Sequence, residues 1–368
     1  MYVMSFENIK NKLGFGCMRL KMTDGEVDYN EFSRMIDAFI EAGFNYFDTA
    51  HGYIDGKSEI AIRECLVKRY KREDYVLADK ISPWFFETEE DIVPLFESQL
   101  KACGVEYFDF YLFHCMTRNY YQKHKNCNSF EIIKKLKEEG KIKHIAMSFH
   151  DTADVLDMIL TEQPYIEAVQ LQINYLDFDD PGIQSKACYD VAVKHGKKVI
   201  VMEPVKGGYL SNLPDKAAEV FDKLGGGSYA SYALRYAASY SEVFMVLSGM
   251  GSMEMMQDNI NTFTNMVPFS KDEYKATDRA REIIREVSQI PCTGCSYCTD
   301  VCPKNIPIPK FFSVYNRVLA AKITKGRAKE LFPKDAATPS DCIKCGKCES
   351  ACPQKIDIKT QLEKISKI

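Results

Sequence analysis

Short apolar runs alternate along most of the chain with longer, charge-patterned stretches, and the two kinds of segment carry different periods. The runs are LGFGCM (13–18), NYFDT (45–49), YVLADKI (75–81), FDFYLFH (108–114), IKHIAMSF (142–149), AVQLQIN (168–174), KVIVMEP (198–204) and VFMVLSG (243–249). Nearly unbroken apolar runs of this length are the habit of strands covered on both faces. Between them, EFSRMIDAFIEAG, SEIAIRECLVKRY, EEDIVPLFESQLKACG and SFEIIKKLKEEG place apolar residues three and four apart, which predicts amphipathic helices. Eight strands alternating with helices over about 250 residues predict an α/β fold of the (β/α)8 TIM-barrel type. The rival is an open doubly wound sheet, which usually carries a glycine-rich turn after its first strand. Gly14-Phe15-Gly16-Cys17-Met18-Arg19 lacks the third glycine of that turn.

After the eighth run the pattern changes. A helical stretch near 271–288 leads into a region that holds eight of the 14 cysteines, and the other six are scattered without close pairing. With 368 residues the chain exceeds the roughly 250 to 300 at which one core stops growing. The expected division is a barrel over 1–287 and a small second domain over 288–368. Charge divides at the same place, with 14 Lys and Arg against 7 Asp and Glu from Ser288 onward and 34 against 45 before it. A basic tail can mean nucleic acid, but clustered cysteines that bind as thiolates are anionic and give this charge another task. No nucleic-acid role is expected.

The cysteine spacing is C-x2-C-x2-C-x3-C-P, twice. It comprises Cys292, Cys295, Cys298 and Cys302 before Pro303, then Cys342, Cys345, Cys348 and Cys352 before Pro353. Three cysteines two apart wrap one cubane, and the fourth, before proline, reaches the other. The expected sets are Cys292, Cys295, Cys298 and Cys352 for one 4Fe-4S cluster, and Cys342, Cys345, Cys348 and Cys302 for the second. Four thiolates also suit zinc, whose sites more usually show two separated C-x2-C pairs. The motifs resemble those of bacterial two-cluster ferredoxins, with a long insertion, PKFFSVYNRVLAAKITKGRAKELF, predicted to form one or two basic helices.

Chemistry in a barrel of this kind sits at the C-terminal ends of the strands. There the sequence puts Asp48 at the end of the second strand, Tyr53 in the following loop, Lys80 at the end of the third and His114 at the end of the fourth. A buried Lys80 ammonium, held by Asp48, is expected to lower the Tyr53 pKa, with His114 orienting a carbonyl or relaying a proton. Each residue alone has a structural reading: a turn cap, a loop aromatic, a solvated lysine, a core histidine. Their coincidence at consecutive strand ends speaks for the chemical one. Trp84, Phe85 and Phe86 follow Lys80, either as a substrate wall or as packing, and His51 is expected near the pocket.

The segments FDTAHGY, SEIAIRECL, ADKI, DFYLFHC, GKIKHIAMSFHD, AVQLQINYLDFD, MEPVKGGYL and SGMGSMEMMQDNI, in this order, resemble the aldo-keto reductase family over roughly residues 12–265. The resemblance implies hydride transfer between a nicotinamide cofactor and a carbonyl, with Tyr53 as the acid. It also implies that Ser148 and Gln170 hold the nicotinamide amide and that Ser248, Gly249, Gly251, Ser252 and Asn259 receive the rest of the cofactor. Backbone amides before a helix with Ser252 as N-cap suit phosphate. This chain departs from the family at Phe149, where an Asn is usual, and at Met202, where an aromatic stacks on the ring. Gly249 and Met255 stand where basic residues grip the extra phosphate of NADP, so NADPH is less favoured than in the family.

The combined expectation is an iron-sulfur oxidoreductase that acts on a small carbonyl or alcohol, using NAD(P)H, the two clusters or both. Hydride carries two electrons and a cluster one. A flavin converting between them and an electron-transfer protein partner both stay open. So do two alternatives: a redox-responsive binding protein with the barrel as scaffold, and an ordinary carbonyl reductase with structural clusters. Scattered cysteines, no secretory leader and no membrane-length apolar run give a cytoplasmic expectation without membrane association.

Overall fold

The computed structural model describes residues 6, 8–286, 289–319 and 323–368. Eight parallel strands close a barrel: β1 (Leu13–Gly16), β2 (Tyr46–Asp48), β3 (Val76–Ile81), β4 (Phe108–Met116), β5 (Ile142–Phe149), β6 (Ala168–Gln172), β7 (Lys198–Met202) and β8 (Val243–Ser248). Each pairs with its neighbours in sequence, and β1 closes the ring through Leu13↔Val246 on one side and Gly14↔Tyr46 on the other. All eight expected runs form strands, because residues sealed between barrel interior and helix layer can be apolar on both faces. A short hairpin, Met22–Thr23 with Glu26–Val27, follows β1.

The barrel interior is filled by Tyr46, Val76, Ala78, Phe110, Leu112, Ala146, Ala168, Ile200, Met245 and Leu247, with Phe6 and Phe244 packed against them. Gly14 is required by this filling, since a Cβ there would lie 2.7 Å from Leu247 and 2.9 Å from the Met245 sulfur. The helices bury the stripes their sequences show. Tyr29–Glu41 starts at Asp28, whose carboxylate accepts the Glu31 N–H at 3.0 Å, and buries Phe32, Met35, Ile36 and Phe39. Each such side chain contributes about 1.5–3 kcal/mol when fully buried.

The chain forms two compact units. The first, Met1–Asp179, Gln184–Pro204 and Ala230–Phe269, holds the whole barrel. The second takes Asp180–Ile183, Val205–Tyr229 and Ser270–Ile368. Most of the segment that follows β7, and the helix Lys271–Glu286, therefore pack with the cysteine region. The expected cut between 287 and 288 falls on residues outside those described.

The second unit is built twice on one plan. The short helices Tyr297–Asp300 and Lys347–Ser350 lie fifty residues apart, as do the starts of Ile308–Leu319 and Ile358–Ser366. The backbone repeats too. Left-handed residues fall at Gly294 and Lys344, at Ser296 and Gly346, and at Asn305 and Lys355. Between the copies stand the rest of Ile308–Leu319 and a second helix, Lys325–Leu331. Ile290, Ile306, Ile308, Phe311, Phe312, Ile356, Ile358, Leu362 and Ile365 form its core together with Cys298, Cys348 and Cys352.

Candidate active site and cysteine cavities

Parallel closure brings the ends of β2, β3 and β4 side by side, with Asp48 opposite Ala78 and Lys80 opposite Leu112. The Lys80 ammonium, 1% exposed, donates to Asp48 Oδ1 at 2.6 Å and to the Thr49 carbonyl at 2.6 Å. It sits 4.8 Å from the centre of the Tyr53 ring. Burial works to lower the Lys80 pKa, but Asp48 and Tyr53 outweigh it and the net shift is upward, so the ammonium stays charged. His114 Nδ1 meets Ser82 Oγ at 2.6 Å, and the His114 and Tyr53 rings stand edge to face, 5.9 Å apart. Burial, with Lys80 beside it, holds the imidazole well below its usual pKa, so it is neutral.

Two expectations need correction. Tyr53 is not brought down: burial is the largest effect and pushes the phenol up to about 12, with Lys80 pulling the other way. Desolvating a group that would become an anion outweighs one cation already shared with Asp48. The phenol is therefore protonated throughout the neutral range. His114 does not end its strand; β4 runs on to Met116 through a register shift after Phe113, with Cys115 at φ +56°. A bulge at the rim of a barrel re-aims the side chains beside it.

The mouth carries aromatics of two kinds. Trp84 and Phe85 are 38% and 41% exposed, Trp84 packing 5.2 Å from the His114 ring and Phe85 edge to face with His51. Phe86 is buried against His124 and belongs to the core. Gly52 fits beneath them, where a Cβ would lie 3.2 Å from Phe85.

The residues expected to hold a nicotinamide are at adjacent strand ends. Ser148, on β5, accepts the Cys115 N–H at 2.8 Å, which leaves its own hydroxyl hydrogen to donate. Gln170, on β6, is buried with Oε1 unpartnered among the described residues. A buried amide oxygen without a donor costs on the order of 1–3 kcal/mol, which a ligand amide N–H would remove. Phe149 is buried. Past β8 the chain turns through Gly249–Ser252 into the helix Met253–Thr264, where Ser252 Oγ caps the Met255 N–H. The Asn259 amide donates to Ser248 Oγ at 2.8 Å, so these two residues fix the start of the turn through each other.

Arg19 was not singled out by its sequence. It lies against this turn, its backbone carbonyl 3.7 Å from the place of a Gly251 Cβ and its Cβ 3.8 Å from that of Gly249. Its guanidinium meets Glu203 Oε1 at 3.1 Å across the ends of β1 and β7. It brings an arginine beside a turn at which Gly249 and Met255 carry no charge. A second missed group lies behind Lys80. Glu59, Asp79 and Cys103 are buried with their ligating atoms within 4.8 Å of one another. Both carboxyls are hard to ionise here: burial pushes Glu59 up to about 7, and burial with Glu59 beside it pushes Asp79 well above the carboxylate range. Asp79 Oδ1 accepts the Lys80 backbone N–H at 2.7 Å, Gln99 bonds both residues, and His51 Nδ1 reaches Glu59 at 2.9 Å.

In the second unit two small cavities are each lined by four cysteines. One is bounded by Cys292, Cys295, Cys298 and Cys352, the other by Cys302, Cys342, Cys345 and Cys348. All eight are free thiols. Burial pushes Cys298 up to about 12, with Cys292 and Cys352 adding to it, and Cys348 up to about 11. Crowded thiols that resist ionisation as the bare protein are what a cationic iron core would relieve, and four soft sulfur donors per cavity fit that group.

A parallel eight-stranded barrel with a buried Lys–Asp pair, a protonated tyrosine and a neutral histidine at its strand ends defines a class of oxidoreductase. The chain belongs to the aldo/keto reductase family, which its residues 12–282 match, and it carries a 4Fe-4S dicluster domain, matched by residues 291–356. It is 22% identical to the uncharacterized oxidoreductase YqkF of Bacillus subtilis over 72% of this chain and 91% of that protein. It is 23% identical to the L-galactose dehydrogenase of Arabidopsis thaliana over 71% of this chain and 86% of that enzyme. An aldo-keto reductase of Klebsiella pneumoniae, solved in complex with NADPH, superposes with a TM-score of 0.60 at 20% identity, covering 74% of this chain and 95% of the other. No helix among the described residues is long and apolar enough to cross a membrane.

Proposed function

We propose that the protein reduces a small carbonyl compound, with Tyr53 giving the proton to the carbonyl oxygen, and that its two 4Fe-4S clusters take part in the electron traffic of that reaction. The observation that carries the reading is the phenol kept protonated beside a paired Lys80 ammonium. Lys80 stabilises the phenolate left after transfer and Asp48 keeps the ammonium in place. His114, neutral and oriented by Ser82, donates from its far nitrogen to the substrate oxygen. Trp84 and Phe85 give an apolar, partly open wall suited to an aromatic or aliphatic substrate.

A bound nicotinamide would supply hydride. The relatives' NADPH, the unpartnered Gln170 oxygen and Arg19 beside the Gly249–Ser252 turn support such binding, with Ser148 and Gln170 on the carboxamide and Arg19 on the pyrophosphate. Reduction of a carbonyl consumes two electrons and two protons, and two clusters of one electron each match that count. The cysteines of each cavity would be the ligands, in the crossed arrangement that the repeated motif suggests. A soluble electron-transfer protein then becomes a natural partner.

The test is an absorbance titration of iron-loaded protein, kept anaerobic, with NADH, NADPH and reduced ferredoxin in turn. Bleaching of cluster absorbance by one donor, reversed by a carbonyl substrate, is the expected result. Turnover unaltered by Cys295→Ser and Cys345→Ser in folded protein would remove the clusters from the reaction. Tyr53→Phe should lower turnover about 10²–10⁴-fold, and full activity in that variant would sink the assignment of the acid.

A further inference from the structure

The two cysteine motifs correspond position for position at an offset of fifty residues, but they are not covered alike. Beside the cavity of Cys292, Cys295, Cys298 and Cys352, Thr293 and Gln354 are 6% and 7% exposed. The segment that follows β7, which packs in the second unit, touches both. There Lys206, Gly207 and Gly208 are left-handed, at φ +48°, +62° and +89°, a strained backbone for the lysine. A Cβ on Gly207 would lie 2.5 Å from the Thr293 carbonyl oxygen, and the Lys206 ammonium donates to Gln354 Oε1 at 2.9 Å.

At the corresponding places beside the other cavity, Ile343 is 58% exposed and Lys304 is exposed. Cys345 is exposed as well, whereas its counterpart Cys295 is half-buried. The residue types change with the exposure. Where the first motif has Thr293, Gly294 and Tyr297, the second has Ile343, Lys344 and Lys347. Both of these lysines are exposed, Lys344 bonded to Glu363 at 3.2 Å. Lys304 and Lys359 line the second cavity, which has no carboxylate in its wall. Lys359 is bonded to Glu349 at 2.9 Å, and Lys304 lies near Asp341, whose carboxylate accepts the Thr338 N–H at 2.7 Å. Compensation of thiolates does not account for this placing, since the first cavity has as many cysteines and no charged residue in its wall.

Encounters between electron-transfer proteins bury little area, under about 1,200 Å² in total, and take their rate from complementary charge. An exposed isoleucine among lysines, beside an exposed cysteine ligand, has the size and polarity of such a contact. We propose that the face formed by Lys304, Ile343, Lys344, Cys345 and Lys347 is the docking site of an acidic one-electron carrier protein. This rests on the reading that the clusters take part in the electron traffic. In each encounter the reduced carrier gives up one electron and the chain takes one, with no bond made or broken. The open cavity is then the port and the covered one the inner stop.

The test uses the iron-loaded full chain, kept anaerobic, and a strongly acidic two-cluster bacterial ferredoxin as the probe. Binding of the oxidised ferredoxin is followed by biolayer interferometry, and bleaching by the reduced ferredoxin in a stopped flow. In the double variant Lys304→Glu with Lys347→Glu, association should slow at least about tenfold, while dithionite still bleaches the protein to the same extent. Lys101→Glu with Lys135→Glu, two exposed barrel lysines, makes the same change in net charge and should leave association near wild type. Equal loss in both double variants, or none in the first, overturns the proposal. Wild-type binding should weaken steeply as ionic strength rises to about 0.15 M; binding indifferent to salt overturns it too, and carries the test where the first double variant does not load iron. Dimerisation of wild type lost in Ile343→Ser would give the face to a second copy and overturn it as well. Failure of dithionite to bleach loaded wild type would instead remove the clusters from the electron traffic.

Discussion

The two units hold charge in opposite ways. In the barrel, charges at the strand ends find partners in the protein: the buried Lys80 with Asp48, and the partly exposed Arg19 with Glu203. In the second unit, eight thiols surround two cavities, and burial and mutual proximity push Cys298 up to about 12 and Cys348 up to about 11. The first site is complete as bare protein. The second asks for a cation core before its ligands can ionise. A catalytic site built on long-range strand pairing can thus be preorganised, whereas one built on short loops depends on what it binds.

The largest effect should come from breaking this dependence. Removing iron with a chelator under reducing conditions should abolish hydrogen-exchange protection across 289–319 and 323–368 while leaving the barrel strands protected. Trp84, the only tryptophan, lies in the barrel and would report no unfolding there. Equal loss of protection in both units would erase the contrast.

The raised pKa of the buried Glu59 carboxyl gives a middle-sized effect. Folding raises the Glu59 pKa from the usual carboxylate range to about 7. The unfolded chain therefore ionises first as pH rises, and the fold loses stability from about pH 4.5 up to pH 7, by about 3 kcal/mol in all. Glu59→Gln should lack Glu59's part of that slope while Asp79 keeps its own, being closest to wild type near pH 4.5 and more stable above pH 7. Denaturant unfolding followed by Trp84 fluorescence at pH 5 and pH 8 measures it, and parallel slopes in the two proteins would show that folding does not raise the Glu59 pKa.

The smallest effect tests the second unit's internal repeat. Left-handed Lys344 corresponds to Gly294, so Lys344→Gly should relieve roughly 1 kcal/mol of backbone strain, offset in part by the entropy that glycine adds to the unfolded chain. A rise in the midpoint for loss of cluster absorbance on heating is the expected sign, and a fall would mean that the Lys344 side chain matters more than its backbone.

The eight strands were legible because burial on both faces writes itself into sequence as an unbroken apolar run. The cysteine pattern was legible because ligand spacing is local. What escaped notice depends on residues far apart in sequence. Arg19 and Glu203 are separated by 184 positions, and neither carries a local mark of its role. Glu59 and Asp79 sit in stretches whose periodicity already accounted for them as helix and strand. The upward shift of Tyr53 depends on how much water the fold removes, which no spacing encodes, so a rule about neighbouring cations gave the wrong sign. Likewise nothing in residues 205–229 announces that they pack with a region beginning more than forty positions later.

That last arrangement has a consequence for how the chain is made. At a synthesis rate of about 5–20 residues per second, Lys206 leaves the ribosome on the order of ten seconds before Gln354 exists for it to bond. The barrel's eighth strand and its following helix emerge in that interval, so the barrel can close while the Lys206 segment still waits for its partner. The unit that carries the clusters is consequently discontinuous in the gene. No single cut would release it whole, and a transplant of residues 289–368 alone onto another barrel would arrive without the strained lysine.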